Sequence, residues 1–168
     1  MAVTTEMIKA LREETGAGVM DAKRALDAAG GDKEKAKGIL REQGMAAAAK
    51  RSERETQNGV VEAYIHGGGR IGALVEINCE TDFVANTDDF RTLARNVAMQ
   101  IAAMNPTLIS RDDPERSQHE GPDEEVCLLS QKFIRDGSTT IEQLVQDAVA
   151  KTGENIRVRR FSRFELGR

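Results

Sequence analysis

A change of hydrophobic period at Val60 constrains this chain more than any other feature. Upstream of it apolar residues recur at helical spacing; downstream they alternate. Val61, Ala63 and Ile65 alternate with Glu62, Tyr64 and His66, and Ile71, Ala73, Val75, Ile77 and Cys79 alternate with Gly72, Leu74, Glu76, Asn78 and Glu80. That is the pattern of strands with one buried face. Gly67-Gly68-Gly69 turns the chain between them, which predicts an antiparallel hairpin. Pairing Ile65 with Ile71, Ala63 with Ala73 and Val61 with Val75 gathers the odd-numbered apolar residues on one face, and this is the expected register.

The helical part comes first. Thr4 caps a helix to Thr15 with Ile8 and Leu11 on one face, and Thr15-Gly16-Ala17-Gly18 closes a tight corner. A second helix, Val19 to Ala29, ends at Gly30-Gly31; Asp32 caps a third, Lys33 to Gln43, with Ala36, Ile39 and Leu40 inward. Residues 1–43 thus predict a minimal three-helix domain, whose small core suits it to presenting a helix-loop surface to a partner. Gly44 is read as its end, and the alanine run at 46–49 as the centre of a solvated linker helix over 44–56.

Residues 57–168 form the third region. Asn86, followed by Thr87, Asp88 and Asp89, reads as the cap of a helix reaching Met104, with Phe90, Leu93, Ala94, Val97, Ile101 and Met104 on one side and Asn105-Pro106 as its stop. Arg111 to Asp123 is a charged loop, and Glu124 to Gln131 a short helix. Thr139 and Glu142 form a capping-box pair for a further helix that Gly153 ends. The last strand, Asn155 to Phe164, places Phe161 and Phe164 on opposite faces, which predicts a bulge near Arg160. The fold class is α+β: helical bundle, linker helix, then an antiparallel sheet of about three strands packed with helices.

Several functions are disfavoured. The net charge of -4 opposes a general nucleic-acid footprint. The arginines of the last strand, Arg157, Arg159, Arg160 and Arg163, interleave with Phe161 and Phe164. They leave open either an RNA-binding strand or an edge strand kept soluble by charge. Cys79, Cys127, His66 and His119 show no metal-ligand spacing, and His66-Gly67-Gly68-Gly69 has no accompanying nucleophile elbow. No phosphate-loop motif is present. No catalytic residue, metal site or cofactor is therefore expected, and an enzyme is not. Without a signal-peptide pattern or an apolar run near the ~20 residues of a membrane span, the expected location is the reducing cytoplasm, with both thiols free and no membrane partner.

Cys79-Glu80-Thr81-Asp82-Phe83-Val84-Ala85-Asn86 joins strand to helix. By parity Phe83 continues the buried face of Ile77 and Cys79. On a corner at a helix entry it would instead be an exposed anchor beside an acid. Spacing leaves both open.

Four stretches resemble the elongation factor Ts family, which exchanges guanine nucleotide on elongation factor Tu. They are Leu11-Arg12-Glu13-Glu14-Thr15-Gly16-Ala17-Gly18-Val19-Met20-Asp21-Ala22-Lys23-Arg24-Ala25-Leu26, the 79–86 stretch above, Gln131-Lys132-Phe133-Ile134-Arg135-Asp136, and Gly153-Glu154-Asn155-Ile156-Arg157-Val158-Arg159-Arg160-Phe161. The resemblance implies that residues 1–43 are a ubiquitin-associated-like (UBA-like) domain docking on Tu around Arg12, Val19 and Met20. It implies that Thr81, Asp82, Phe83 and Val84 intrude beside the nucleotide and dislodge its Mg²⁺. It also implies a cytoplasmic factor of protein biosynthesis, and a homodimer through the core sheet as in short, single-core forms. Family members often carry a longer helical excursion where this chain has only Thr107 to Lys132.

Overall fold

The computed structural model describes residues 3–168. Three helices open the chain: α1 (Thr5–Thr15), α2 (Val19–Ala28) and α3 (Lys33–Arg51). Thr4 Oγ1 caps α1 by accepting from Met7 N–H, and Asp32 caps α3 by accepting from Lys35 N–H. Leu11, Ala22, Ala25, Leu26 and Ala36 form their small core, ringed by Met7, Ile8, Ile39 and Leu40. Glu14 accepts from Lys33 and Lys37 across it, tying α1 to α3.

The break expected at Gly44 is absent: α3 runs without interruption to Arg51. Helix α7 (Ile141–Thr152) supplies the reason. A Cβ on Gly44 would lie 3.2 Å from Ala150 Cβ, so the glycine lets the two helices come close at this point. Ala48, one turn on, packs against the main core. The alanine run is therefore a contact face as well as a spacer.

Strands β1 (Asn58–His66), β2 (Ile71–Cys79) and β5 (Arg157–Glu165) form one antiparallel sheet in the order β1-β2-β5. The hairpin is present, but its register differs by one from the expectation: Ile65 pairs with Gly72, Tyr64 with Ala73 and Glu62 with Val75. Val60 and Tyr64 consequently join Ala73, Val75 and Ile77 against the core, while Val61 and Ile65 turn outward. The connection fixes this offset. Gly67, Gly68 and Gly69 all have positive φ (61°, 66°, 91°) and Arg70 N–H donates to His66 O at 3.1 Å. The loop thus closes on His66–Ile71, not on Ile65–Ile71. The expected bulge is there: Arg160 faces Glu76 and Val158 faces Ile77, leaving Arg159 as the extra residue.

Helix α5 (Asp88–Met104) covers the inner face of the sheet, burying Phe90, Leu93, Ala94, Val97 and Ile101. Its cap is Thr87, one residue later than Asn86, and Asn105 ends it in the left-handed conformation at φ 49°. α7 carries its capping box on Thr140 and Gln143, also one residue later than expected, and ends at Gly153. Between them lie a short helix α6 (Asp123–Val126), a 3₁₀ turn Leu128–Ser130, and an unforeseen small hairpin of β3 (Lys132–Phe133) and β4 (Asp136–Thr140). The α+β architecture is borne out, with three antiparallel strands packed by helices.

Candidate functional site

β2 stops at Cys79 and the chain leaves the sheet before Phe83 can continue its alternation. Thr81 adopts extended backbone and caps a one-turn helix, α4 (Asp82–Ala85), its hydroxyl accepting from Val84 N–H at 3.3 Å. In that turn Val84 and Ala85 face the core, so Phe83 points away and is 79% exposed. The reading of Phe83 as a core plug is thereby overturned: helical geometry replaces parity as soon as Thr81 begins a turn. Asp82 is exposed beside it, and Asn86 Nδ2 donates back to Asp82 O at 2.9 Å.

The corner is held from several directions. Cys79 Sγ–H donates to Thr81 O at 3.1 Å, and Asn58 Nδ2 donates to Glu80 O at 2.8 Å. Glu154, just past the end of α7, accepts from the N–H groups of Glu80 and Thr81, both at 3.1 Å, and from the Thr81 hydroxyl at 2.6 Å. Burial first, and then the neighbouring Glu154 charge, push the Cys79 thiol up to about 11, so it stays protonated at neutral pH. A thiol in that state is a packing and hydrogen-bonding group, not a nucleophile.

The second set of expected residues lies on the bundle. Val19 and Met20, 50% and 60% exposed, open α2, and Arg12 in the last turn of α1 donates from Nε to Ala17 O at 3.2 Å. The three residues flank a single α1–α2 corner. That corner adjoins the end of α7: a Cβ on Gly16 would lie 3.3 Å from Lys151 Cγ and Cδ. Lys151 Nζ in turn pairs with Asp89 at 2.7 Å, in the first turn of α5 just beyond the Phe83 corner. The end of α7 therefore touches the α1–α2 corner at Gly16 and the start of α5 at Asp89.

Among the described residues no group of three or more His, Cys, Asp or Glu is placed to hold a metal ion. No described helix is long and apolar enough to cross a membrane. Sequence reasoning missed Glu154 and Asn155. Gly153 reads as a helix end and Asn155 as the start of the last strand, and only the fold brings Glu154 and Asn155 beside residue 80.

The profile of the family described as Elongation factor TS matches residues 33–121 and 118–168. The chain is 50% identical over 194 aligned positions to an elongation factor Ts of Carboxydothermus hydrogenoformans, covering 98% of this chain and 89% of that one. It is 50% identical to one of Heliobacterium modesticaldum, with 98% and 90% covered, and 48% identical to one of Leptospira biflexa, with 99% of each covered. The alignments are longer than the 168 residues of this chain, and the two matched segments overlap at residues 118–121. There Arg116 closes a compact turn, donating to Asp123 at 2.7 Å, His119 O at 2.8 Å and Gly121 O at 2.7 Å. The match runs through the bundle, the Phe83 corner and the last strand alike, and the chain belongs to the elongation factor Ts family of translation factors.

Proposed function

We propose that this protein is a guanine nucleotide exchange factor for elongation factor Tu, acting in the cytoplasm by binding alone, with no covalent chemistry and no cofactor. Family membership supports the partner. The observation that carries the mechanism is the exposure of Phe83 on a corner whose neighbours Val84 and Ala85 are buried. An aromatic ring held out of a well-anchored turn loses little conformational freedom on binding and can act as a wedge.

In this reading the α1–α2 corner, through Arg12, Val19 and Met20, docks the factor. Thr81, Asp82 and Phe83 then enter beside the nucleotide and disturb its Mg²⁺, while Val84, the fourth residue the resemblance assigns to this step, is buried and anchors the turn behind them. Loss of that ion removes the largest positive charge from the diphosphate, and GDP leaves faster. Linkage sets the thermodynamics: GDP must weaken binding of the factor by the same ratio as the factor weakens GDP.

The test is release of fluorescent GDP from Tu under single-turnover conditions. The wild-type chain accelerates release, and Phe83→Ala lowers the acceleration about tenfold or more, the scale of losing an aromatic anchor. Exchange by Phe83→Ala and Asp82→Ala at the wild-type rate would remove the wedge mechanism.

A second partner, another copy of this chain, is favoured by the outer face of the sheet. Val61, Ile65, Leu74, Phe164 and Leu166 are all exposed there. Glu76 and Arg160 form an ion pair at 2.6 Å between the neighbouring strands β2 and β5. A face of this kind can pair with itself across a twofold axis, as in packed antiparallel sheets.

A further inference from the structure

Three side chains around the Phe83 corner have no role in docking or in the wedge itself: Glu154, Asn155 and Glu80. Their contacts form one continuous network. Asn155 is buried, and its Nδ2 donates to Ser52 O at 3.2 Å and Arg54 O at 2.8 Å, in the chain leaving α3. Its backbone N–H donates to the Glu80 carboxylate at 2.7 Å, and that carboxylate also faces Arg54 at 3.5 Å. The backbone at 154–155 is thus fixed both to the end of α3 and to residue 80. From that fixed base the Glu154 carboxylate takes all three donors that the corner offers it, two backbone N–H groups and the Thr81 hydroxyl.

The choice of a carboxylate is informative. The donors at Glu80 and Thr81 stand where β2 has ended, so no neighbouring strand is available to accept from them. A single acceptor pair with one negative charge satisfies both and holds the Thr81 hydroxyl, whose oxygen then caps α4 by accepting from Val84 N–H. Removing the carboxylate frees Thr81 to rotate and unties the first turn of α4. Phe83, the second residue of that turn, moves with it.

Granting the exchange role proposed above, we propose that Glu154 is a positioning residue for exchange. Its carboxylate fixes the Thr81 cap and thereby the direction in which Phe83 projects from the corner. Glu154 itself does not touch the partner's nucleotide in this scheme. It sets how effective the wedge is once docked, and has little part in how tightly the factor docks.

The test combines exchange kinetics with a direct optical readout. Glu154→Ala is expected to lower the maximal rate of GDP release at saturating factor about tenfold. The factor concentration giving half that rate should move less than about threefold, because Arg12, Val19 and Met20 are unaltered. Glu154→Gln keeps one acceptor oxygen and a donor for the Thr81 hydroxyl oxygen, and is expected to retain most of the wild-type rate. In a Phe83→Ala background, Glu154→Ala is expected to add no further loss. The chain has no tryptophan, so Phe83→Trp provides a single reporter on the corner. Its fluorescence anisotropy, measured on the full chain without Tu, should fall when Glu154→Ala is added and be restored by Glu154→Gln.

Unchanged exchange by Glu154→Ala while Phe83→Ala is impaired would overturn the positioning role and leave the wedge standing. Losses that multiply in the double variant would also overturn it. If Phe83→Ala itself exchanges normally, the wedge falls and the positioning role with it. Should Glu154→Ala not fold, Glu154→Asp, which shortens the reach by one methylene, carries the same expectations for rate and anisotropy.

Discussion

Gln100 has no solvent exposure although it is polar, and its side chain is fully used. Nε2 donates to Gln131 Oε1 and to Lys132 O, both at 3.1 Å, and Oε1 accepts from Ile134 N–H at 3.0 Å. Gln131, equally buried, donates onward to Glu125 O at 2.9 Å. Gln100→Leu keeps much of the volume but strands these partners, and urea denaturation is expected to show a loss of about 1–3 kcal/mol. The apolar stripe Phe90, Leu93, Ala94, Val97, Ile101 and Met104 does not include this polar position, and nothing in the sequence names its partners. Met104, expected inward on that stripe, is nearly half exposed at the helix end. Phe83 was undecidable from spacing because the parity of a strand and the turn of a helix give opposite answers, and only the Thr81 cap chooses between them. Cys79 supports a pH prediction. Burial pushes its thiol up to about 11 from an ordinary 9.0, so the unfolded chain ionises first. The stability this thiol contributes is complete below about pH 9 and lost as pH rises toward 11, and Cys79→Ala should flatten the decline of melting temperature across that interval.

At the scale of elements, β1 shows why alternation can give the strand and miss its register. Val60, Val61, Ala63, Tyr64 and Ile65 place apolar side chains on both faces, so the pattern alone fits either offset. The four-residue connection decides it, together with close approach at the other end of the strand. A Cβ on Gly59 would meet Ile77 O at 2.1 Å, and Gly59 has φ 148°. Gly59→Ala is therefore expected to cost about 2–5 kcal/mol, from overpacking and backbone strain together. Thermal denaturation measures it, and a loss under 1 kcal/mol would mean the hairpin can shift at its open end. α3 teaches a related lesson. A glycine within a helical pattern reads as a stop when no partner is visible, but here Gly44 is retained by contact with Ala150, a residue more than a hundred positions away. Caps were legible to within one residue, because residues able to cap stand side by side, Asn86 with Thr87 and Thr139 with Thr140.

For the whole molecule, the outer sheet face carries the homodimer prediction. Leu74→Glu with Phe164→Glu adds charge to side chains that are already exposed, so the fold is expected to persist unchanged by circular dichroism. Sedimentation equilibrium should then show a monomer where the wild-type chain shows a concentration-dependent dimer. A wild-type chain monomeric at high micromolar concentration would refute the pairing. The helix that passes Gly44 without a break also bears on how the chain may be divided. A cut after residue 43 would sever a 19-residue helix near its middle, leaving Ala48, which packs on the main core, on a short helical remnant of the larger piece and giving the smaller one a frayed end. An isolated bundle is therefore better ended at Arg51. Even so, a weakened grip on Tu by such a fragment would not by itself show that the sheet region binds, because the cut also removes the contact with α7 that steadies the α1–α2 corner.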